Sequence, residues 1–356
     1  TGPELEAWLP VTGGEVTLAA DAGQPYVIHP QEVAVADPEW GEGTGLQNPF
    51  FTPGDLRGWQ TSGASSVVLS DRGHHEVHLG EDGAAAHIRQ PITGLEPGGR
   101  YAASVLVQIG AEPGETRRTT LTVDTPDGSS TTHLDRSTLK NTQNSDPKKG
   151  TRFQRIWTYF TAPDDGTDPE LRIETVAGDA PVLLDHVRVA AGSRPDAPEG
   201  AIVAEDFENV PFGYGVFVSC NIRSHLSEPH APYTNIGWNG KELDDVLDGG
   251  YSLKTRATGA TLQYRSLPST IEFRPGHRYR VEFDYQSRTE ADWVTGVDEP
   301  ESRDIQADRL PKTTGTERWR YEFTAPDEGD TWIGMRSRIG DSTEVVIDNL
   351  VVYELD

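Results

Sequence analysis

The sequence predicts an all-β protein that contains two tandem jelly-roll β-sandwiches. Apolar and polar residues alternate in short runs, such as Tyr101–Ile109 and Tyr279–Tyr285, and no long segment has the 3.6-residue period of a helix. Gly, Pro, Asp and Asn separate these runs every ~8–12 residues, a spacing typical of sandwiches. Segments of the first half also recur in the second half in the same order, which predicts two homologous modules.

The internal repeat predicts the domain boundaries. The matching segments are 95–101 with 273–279, 157–164 with 320–327, and 182–189 with 345–352. The last two matches have the same offset of 163 residues. We therefore expect a first module over residues 45–191 and a second module over residues 201–356. The intervening residues, 192–200, are rich in Pro, Gly and charge and are expected to form an exposed linker.

Residues 1–40 stand apart from both modules. Glu15–Leu18 and Pro25–His29 have the pattern of two strands joined by a turn. A lone hairpin is only marginally stable in water. We expect this segment to be either the final strands of a preceding β-domain or a hairpin docked on the first module.

Composition excludes several classes of protein. The 356 residues include 31 Lys and Arg against 57 Asp and Glu, a formal charge of −26 that repels the phosphates of nucleic acids. No apolar run approaches the ~20 residues of a membrane helix. The single cysteine, Cys220, excludes an intramolecular disulfide. These features indicate a soluble extracellular protein, and we expect any export signal to have been removed or to lie upstream of residue 1.

Both modules follow the same order of elements. An opening strand carries Phe or Trp, a Pro-Gly turn leads into a long central strand, and an aromatic strand ends at Thr-Ala-Pro-Asp, where Pro stops sheet pairing. The module then closes with an apolar strand that contains one Asp. This order predicts sandwiches of the carbohydrate-binding-module type.

The aspartates of the closing strands, Asp185 and Asp348, suggest a structural Ca²⁺ ion. An unpaired buried charge is costly, and Ca²⁺ satisfies such carboxylates by taking about 6–8 oxygen ligands. In the second module, Asp206 and Glu208 on the opening strand would complete the site, since first and last strands often neighbour each other in sandwiches. The alternative is that both closing aspartates accept N–H bonds from nearby loops.

Aromatic residues in two long polar segments of the second module, 209–250 and 287–312, are the candidate ligand-binding residues. We predict that Tyr233, Trp238 and Trp293 bind carbohydrate, because a flat aromatic ring stacks on the C–H face of a sugar. The alternative is that a tryptophan in such a loop anchors the loop against the sandwich.

No catalytic motif is visible. The run His74-His-Glu-Val-His78 lacks the His-Glu-x-x-His spacing of a zincin and has the pattern of a polar strand face. There is no Gly-x-Ser-x-Gly elbow, and pairs of carboxylates are too abundant in so acidic a chain to indicate a glycosidase site. We therefore predict no catalytic residue in this chain.

The segment from residue 206 to residue 254 carries a family resemblance. Its characteristic stretches are Asp206–Val218, Ala231–Thr234, Trp238–Val246 and Tyr251–Lys254. They resemble the galactose-binding-domain-like module of endo-α-N-acetylgalactosaminidases, glycoside hydrolase family 101. The first module, which opens with Asn48-Pro-Phe-Phe51, looks like the preceding sandwich of these enzymes, and residues 1–36 look like the last strands of the β-domain after their catalytic barrel.

This resemblance implies a secreted or surface-attached parent enzyme that releases the Galβ1-3GalNAc disaccharide from mucin-type O-glycans by a retaining mechanism. The catalytic carboxylates of that family lie in a (β/α)₈ barrel, and this chain has no alternating βα pattern. We expect accessory modules that scaffold the neighbouring domains of the parent enzyme and contact a glycan or glycoprotein. The alternative is an independent extracellular adhesin-like or protein-interaction module.

Overall fold

The described part of the chain folds almost entirely into β-strands, as the sequence predicts. The computed structural model describes residues 45–51, 53–70, 75–111, 115–136, 153–208, 215–219, 233–234, 246–258, 262–298, 303–338 and 342–355. These residues form 21 strands and no helix. Accordingly, none of them belongs to a helix that could cross a bilayer. The predicted N-terminal strands lie outside the described residues.

The first sandwich consists of ten strands in two five-stranded antiparallel sheets. The strands are β1 (Gln60–Ser62), β2 (Ser65–Leu69), β3 (His75–Leu79), β4 (Ala86–Pro91), β5 (Arg100–Ile109), β6 (Thr119–Thr125), β7 (Gly128–Leu134), β8 (Gln154–Thr161), β9 (Glu170–Thr175) and β10 (Val182–Ala191). Sheet A has the order β1-β4-β9-β6-β7, and sheet B has the order β2-β3-β10-β5-β8.

The second sandwich contains the other eleven strands. They are β11 (Ala201–Glu205), β12 (Phe217–Ser219), β13 (Tyr233–Thr234), β14 (Ser252–Thr258), β15 (Leu262–Ser266), β16 (Arg278–Ser287), β17 (Ala291–Val297), β18 (Arg303–Leu310), β19 (Glu317–Thr324), β20 (Thr331–Arg336) and β21 (Ser342–Glu354). Sheet C has the order β13-β14-β21-β16-β19, with β11 also pairing with β21, and sheet D has the order β12-β15-β20-β17-β18.

The two sandwiches share one topology. If β1–β10 are matched in order with β12–β21, sheet A matches sheet D and sheet B matches sheet C strand for strand. The sequence repeat is thus a structural repeat. In both modules the closing strand, β10 or β21, lies in the middle of its sheet beside the long central strand.

The repeated Pro-Gly motif forms the same turn in both sandwiches. The hydroxyl oxygen of Tyr101 accepts the backbone N–H of Glu96 at 2.9 Å, and that of Tyr279 accepts the N–H of Arg274 at 2.7 Å. Each tyrosine ring also stacks on a phenylalanine of the aromatic strand, with centroids 5.8 Å apart in the first module and 5.7 Å apart in the second. The tyrosine therefore holds the turn against the core, which explains why the whole motif recurs.

Both closing strands contain a β-bulge directly after the predicted aspartate. Their pairing with the central strand shifts register at Asp185 and at Asp348. The following residues, His186 and Asn349, have positive φ angles of 47° and 49°. A bulge leaves a residue unpaired and redirects the chain, and each aspartate accepts the N–H of the residue that follows it.

The sandwiches are joined by the turn after β15. Leu267 is 2% exposed and packs in the hydrophobic core of the first sandwich, although it belongs to the second. The hydroxyl of Ser269 bonds to the hydroxyl of Thr132 at 2.9 Å and donates to the carbonyl of His133 at 3.0 Å, both on the edge strand β7. Side-chain and backbone contacts thus connect residues of the two modules directly.

Two charged residues, Arg194 and Glu205, lie near this junction. Arg194 of the linker donates to the carbonyl of Thr270 and lies 5.2 Å from the ring centroid of Tyr159. Glu205, which is 1% exposed, accepts the N–H of Phe207 at 2.9 Å. Burial raises the pKa of Glu205 to about 7, because desolvation outweighs the attraction of the Arg194 guanidinium.

We predict that Leu267→Ala destabilises the protein by about 2–4 kcal/mol, because it leaves a cavity in the core of the first sandwich. Leu69→Ala is the matched control, since Leu69 is 38% exposed and its truncation should cost less than ~1 kcal/mol. Chemical denaturation of both variants measures the difference. Equal stability of the two variants would show that Leu267 contributes nothing to the junction.

We predict that the free energy of unfolding falls as the pH rises from about 4.5 to above 7, because folding favours the protonated form of Glu205. The contribution of this residue is fully present below its unfolded pKa and is lost as the pH passes through the folded value of about 7. Glu205→Gln should reduce the fall by about 1–3 kcal/mol. Denaturant titrations at pH 5 and pH 8 test this, with the exposed Glu199→Gln as the control; identical pH dependence in all three proteins would refute it.

Candidate functional site

The predicted Ca²⁺ ligand Asp348 lies at the centre of a polar cluster. Its side chain is 1% exposed, because β14 and β16 flank it in sheet C. The carboxylate accepts the hydroxyl of Ser252 at 2.5 Å and the backbone N–H groups of Asp248 at 3.2 Å and Asn349 at 2.8 Å. This is the hydrogen-bonding arrangement that the sequence left open as the alternative to a metal.

Further carboxylates surround this position. Glu208 accepts the N–H groups of Gly250 and Tyr251, and the amide of Asn349 donates to Asp248 and to Asp284 at 3.1 Å each. Burial raises the pKa of Asp348 to about 7, and the negative charge of Glu208 adds to that rise, while the bonds from Ser252, Asn349 and Asp248 oppose it. The carboxylate therefore lies in a site that favours either a proton or a nearby cation.

The other predicted metal ligands, Asp206 and Asp185, have fewer polar contacts than Asp348. Asp206 accepts the N–H of Glu208 at 3.2 Å. In the first sandwich, Asp185 accepts the N–H of His186 at 2.7 Å, and its second oxygen lies 3.2 Å from the imidazole Nδ1 of the same residue. Within the described ranges, no three His, Cys, Asp or Glu side chains are close enough together to form a ready metal site.

The prediction for Trp293 is wrong. Most of the described residues between 287 and 312 lie in the antiparallel pair β17–β18 rather than in a loop. Trp293 points from β17 into the core of the second sandwich with no exposed surface. Its ring lies 4.6 Å from that of Phe283 and 6.0 Å from that of Phe217. A ring enclosed on both faces cannot stack on a sugar.

The other two predicted aromatic residues are not settled by the structure. The backbone of Tyr233 pairs with Leu253 as part of β13, but its side chain is outside what the structure describes. Trp238 lies outside the described residues altogether. Both remain predictions.

The outer face of sheet A is a candidate site that the sequence reasoning missed. Along β9, Leu171 and Ile173 are buried, so that Glu170, Arg172 and Glu174 point away from the core. The neighbouring strands β4 and β6 alternate in the same way. Apart from Pro91, the outward side chains of the sheet are polar: Gln60, Ser62, His87, Arg89, Thr120, Thr122, Asp124, Ser129, Thr131, His133, Glu170, Arg172 and Glu174.

Two arginines lie side by side in the middle of this face. Arg89 of β4 is paired directly with Arg172 of β9, an arrangement that is unfavourable for like charges. Carboxylates offset it: Arg89 bonds to Glu170 at 3.1 Å, and Arg172 lies 3.4 Å from Asp124 and 3.3 Å from Glu174.

Part of the hydrogen-bonding capacity of these arginines is unused. Among the described residues, the Nε atoms of Arg89 and Arg172 are shielded from water and have no acceptor. A shielded donor without a partner is costly, so the neighbouring carboxylates do not satisfy these two guanidinium groups completely. Alternating guanidinium and carboxylate groups can donate to and accept from the hydroxyls of a neutral polar ligand.

The alternation of polar and apolar residues in Glu170–Thr175 is a sequence signal that could have indicated this polar strand face. What could not be predicted is that β4, eighty residues earlier in the chain, places Arg89 opposite Arg172. Cross-strand neighbours depend on the sheet order, which local patterns do not determine.

Comparison with known proteins assigns both modules. Residues 47–182 match the family described as endo-alpha-N-acetylgalactosaminidase, domain 5, and residues 185–345 match the family described as galactose-binding domain-like. A Renibacterium salmoninarum protein provisionally named endo-alpha-N-acetylgalactosaminidase is 35% identical over 99% of this chain. The chain spans only 24% of the length of that relative.

Carbohydrate-binding modules are among the solved structures with weaker similarity. The tandem CBM22-1–CBM22-2 domain of Paenibacillus barcinonensis Xyn10C is 14% identical, covers 88% of this chain and 98% of its own, and has a TM-score of 0.33. TmCBM61, solved in complex with β-1,4-galactotriose, is 15% identical, covers 42% of this chain and 99% of its own, and has a TM-score of 0.31.

The two family matches meet between residues 182 and 185, close to the linker between the two sandwiches. The match to the Renibacterium salmoninarum protein covers both modules, so one relative contains both. The chain is therefore the domain 5 and galactose-binding-domain-like β-sandwich region of the endo-α-N-acetylgalactosaminidase family, glycoside hydrolase family 101.

Proposed function

We propose that this chain is a non-catalytic accessory region of a secreted glycosidase, and that its first sandwich binds glycan through the outer face of sheet A. The observation that carries the proposal is the pair Arg89 and Arg172, which lie directly opposite each other on β4 and β9. Their guanidinium groups contact Asp124, Glu170 and Glu174, and their Nε donors are unused in the described structure. A sugar brings several hydroxyls close together, and these can accept from guanidinium groups and donate to carboxylates.

The proposed target is the mucin-type O-glycan Galβ1-3GalNAc on Ser or Thr. This specificity is supported by the family of the chain, whose name refers to the release of N-acetylgalactosamine-linked glycans. Such substrates are extracellular, which also supports an extracellular location for the protein. Accessory modules near a catalytic domain increase its effective concentration at the substrate surface.

The described surface offers less support for an adhesin-like, protein-binding module. Large apolar residues are at least 38% exposed at only a few described positions, and most of these belong to different strands or loops: Val68, Leu69, Val176, Ile202 and Ile305. A protein-binding face would be a contiguous apolar patch of several hundred Å².

We also propose that one Ca²⁺ ion binds to the second sandwich through Asp348 and Glu208, with Asp206 nearby. The support is the burial of Asp348, the rise of its pKa to about 7 and the nearby negative charge of Glu208, all of which a divalent cation would relieve. The first sandwich is the weaker candidate, because its carboxylate Asp185 lies 3.2 Å from the imidazole Nδ1 of His186.

We predict that Arg172→Ala lowers affinity for the Galβ1-3GalNAc disaccharide at least tenfold, because both flanking carboxylates lose their cation and the sugar loses a donor. The wild-type dissociation constant should be about 10 μM to 1 mM, the range that a few hydrogen bonds in open water support. Isothermal titration calorimetry measures both. Arg320→Ala is the control, since Arg320 is an exposed arginine of sheet C that pairs with Glu322.

Unchanged affinity in the Arg172→Ala variant would show that sheet A is not the binding face. If binding persists there, Trp238→Ala tests the aromatic residue that the sequence predicts instead.

We predict that EDTA lowers the melting temperature and that added Ca²⁺ restores it, because an ion that binds only the folded state stabilises that state. Asp348→Asn should lose most of this response, whereas Asp185→Asn, at the matching position of the first sandwich, should keep it. Differential scanning calorimetry with EDTA, Ca²⁺ and Mg²⁺ measures the shifts. A melting temperature that does not respond to chelation would leave Asp348 as a purely hydrogen-bonded residue.

A further inference from the structure

A cavity of about 370 Å³ lies between the two sandwiches. Its volume falls in the range of about 300–1,000 Å³ that is usual for small-molecule sites, which often form at domain boundaries. The polar residues that face it come from both modules: Thr116, Arg118, His133, Asp135 and Arg136 from the first, and Asp298 and Asp330 from the second. We refer to this cavity as the inter-sandwich cleft.

The walls of the cleft are fixed by buried arginines. Arg117 is 3% exposed and donates to the backbone carbonyls of Gly80, Ala84, Val176 and Ala180, so its guanidinium holds several loops of the first sandwich together. On the other side, Arg265 and Asp298 form a buried ion pair at 2.5 Å.

Arg136 connects the two walls. Its guanidinium crosses from the first sandwich and donates to the carbonyl of Asp298 at 3.2 Å. Neither wall of the cleft therefore depends on the occupancy of the cavity for its shape.

Two charged side chains in the cleft form no direct ion pair among the described residues, although Asp330 also interacts electrostatically with Arg118. Arg118 is paired with Asp135 at 2.7 Å, but the side chains of Arg136 and Asp330 form no ion pair within the described ranges. The guanidinium of Arg136, from the first sandwich, can donate several hydrogen bonds, and the carboxylate of Asp330, from the second, can accept them.

The imidazole of His133 adds a neutral polar group. Burial lowers its pKa below the ordinary value, which Arg118 reinforces and which Asp135 and Asp330 only partly oppose, so the ring is uncharged at neutral pH. Charges of both signs and a neutral imidazole favour a neutral ligand that can both donate and accept, rather than a phosphate or an apolar molecule.

The cleft adjoins the outer face of sheet A. His133 on β7 is paired with Thr120 on β6, and Thr120 is paired with Glu174 on β9, so these three side chains form one row on that face. His133 also lines the cleft. A ligand that lies along the face can therefore continue into the cleft past this histidine.

We infer that the inter-sandwich cleft is a second saccharide subsite, in which Arg136 and Asp330 contact the hydroxyl and amide groups of a glycan that extends beyond the face of sheet A. The inference rests on the proposed function, since the first part of the glycan occupies that face. The second sandwich would then also bind the glycan, so that recognition requires both sandwiches together rather than either one alone.

Calorimetry with two probes tests this on the complete chain. The short probe is the Galβ1-3GalNAc disaccharide, and the long probe is a synthetic O-glycopeptide that carries this disaccharide on two consecutive threonines. We expect the long probe to bind the wild-type chain more tightly. Arg136→Ala and Asp330→Ala should each lower affinity for the long probe about fivefold or more, and should change affinity for the disaccharide less than about twofold.

Three outcomes distinguish this inference from the proposed function. If Arg172→Ala abolishes binding of both probes while Arg136→Ala and Asp330→Ala bind the long probe as the wild type does, the cleft is not a subsite and the face of sheet A stands. If the cleft variants weaken both probes equally, the disaccharide itself occupies the cleft and the assignment of two subsites is wrong. If the wild type binds neither probe at millimolar concentration, both proposals fail.

The melting temperatures of the variants serve as a separate control for folding. Asp330 is exposed, so Asp330→Ala should have nearly the melting temperature of the wild type even if Arg136→Ala disturbs the junction. A glycopeptide that binds the cleft only when it carries a sialic acid would overturn the neutral-ligand assignment.

Discussion

The insertion of Leu267 into the core of the first sandwich is the contact on which the arrangement of the two modules depends. A leucine that is fully removed from water contributes about 1.5–3 kcal/mol, and here the residue and the core belong to different modules. Ser269 then attaches to the backbone of His133 through two hydrogen bonds, one donated and one accepted. Because His133 lies on sheet A and also lines the cleft, the same contact that joins the sandwiches positions both candidate subsites.

The charged residues of the junction act differently from this apolar contact. Removing Glu205 and Arg194 from water costs free energy that their mutual attraction only partly returns, as the raised pKa of Glu205 shows. Such a pair adds little stability compared with an apolar one, but a wrongly docked junction would leave Glu205 buried without its cation. We therefore attribute the orientation of the modules to these charges and the adhesion between them to Leu267.

The fold class and the repeat could be predicted from the sequence, because both depend on short-range patterns of residues. The tyrosine of the Pro-Gly motif bonds to a backbone group five residues away, so the same seven residues can form the same turn twice. The bulges at Asp185 and Asp348 could likewise be anticipated as interruptions of apolar strands. The partners of Asp348 could not, since Asp248 and Ser252 lie about a hundred residues earlier and meet it only through the pairing of β14 with β21.

Trp293 shows how a local pattern misleads when the strand is not recognised. The polar residues around it suggested a loop, yet Asp292 and Trp293 alternate between the two faces of β17 like any strand pair. Read as a strand, the segment places its tryptophan in the core, where large aromatic residues are usually found. The long-range pairing that makes it a strand, with β18 and β20, is invisible to a short window.

The burial of Trp293 removes one of the three predicted aromatic residues from sugar recognition. One exposed aromatic platform would supply much of its binding energy through a single stacked ring, whereas a polar face supplies it through hydrogen bonds of about 0.5–1.5 kcal/mol net each. Several such bonds give a weak site, and a weak site gains most from a second subsite on the same rigid support. In the proposed recognition by hydrogen bonds, a junction that holds the face of sheet A and the cleft on one support would favour binding of an extended glycan.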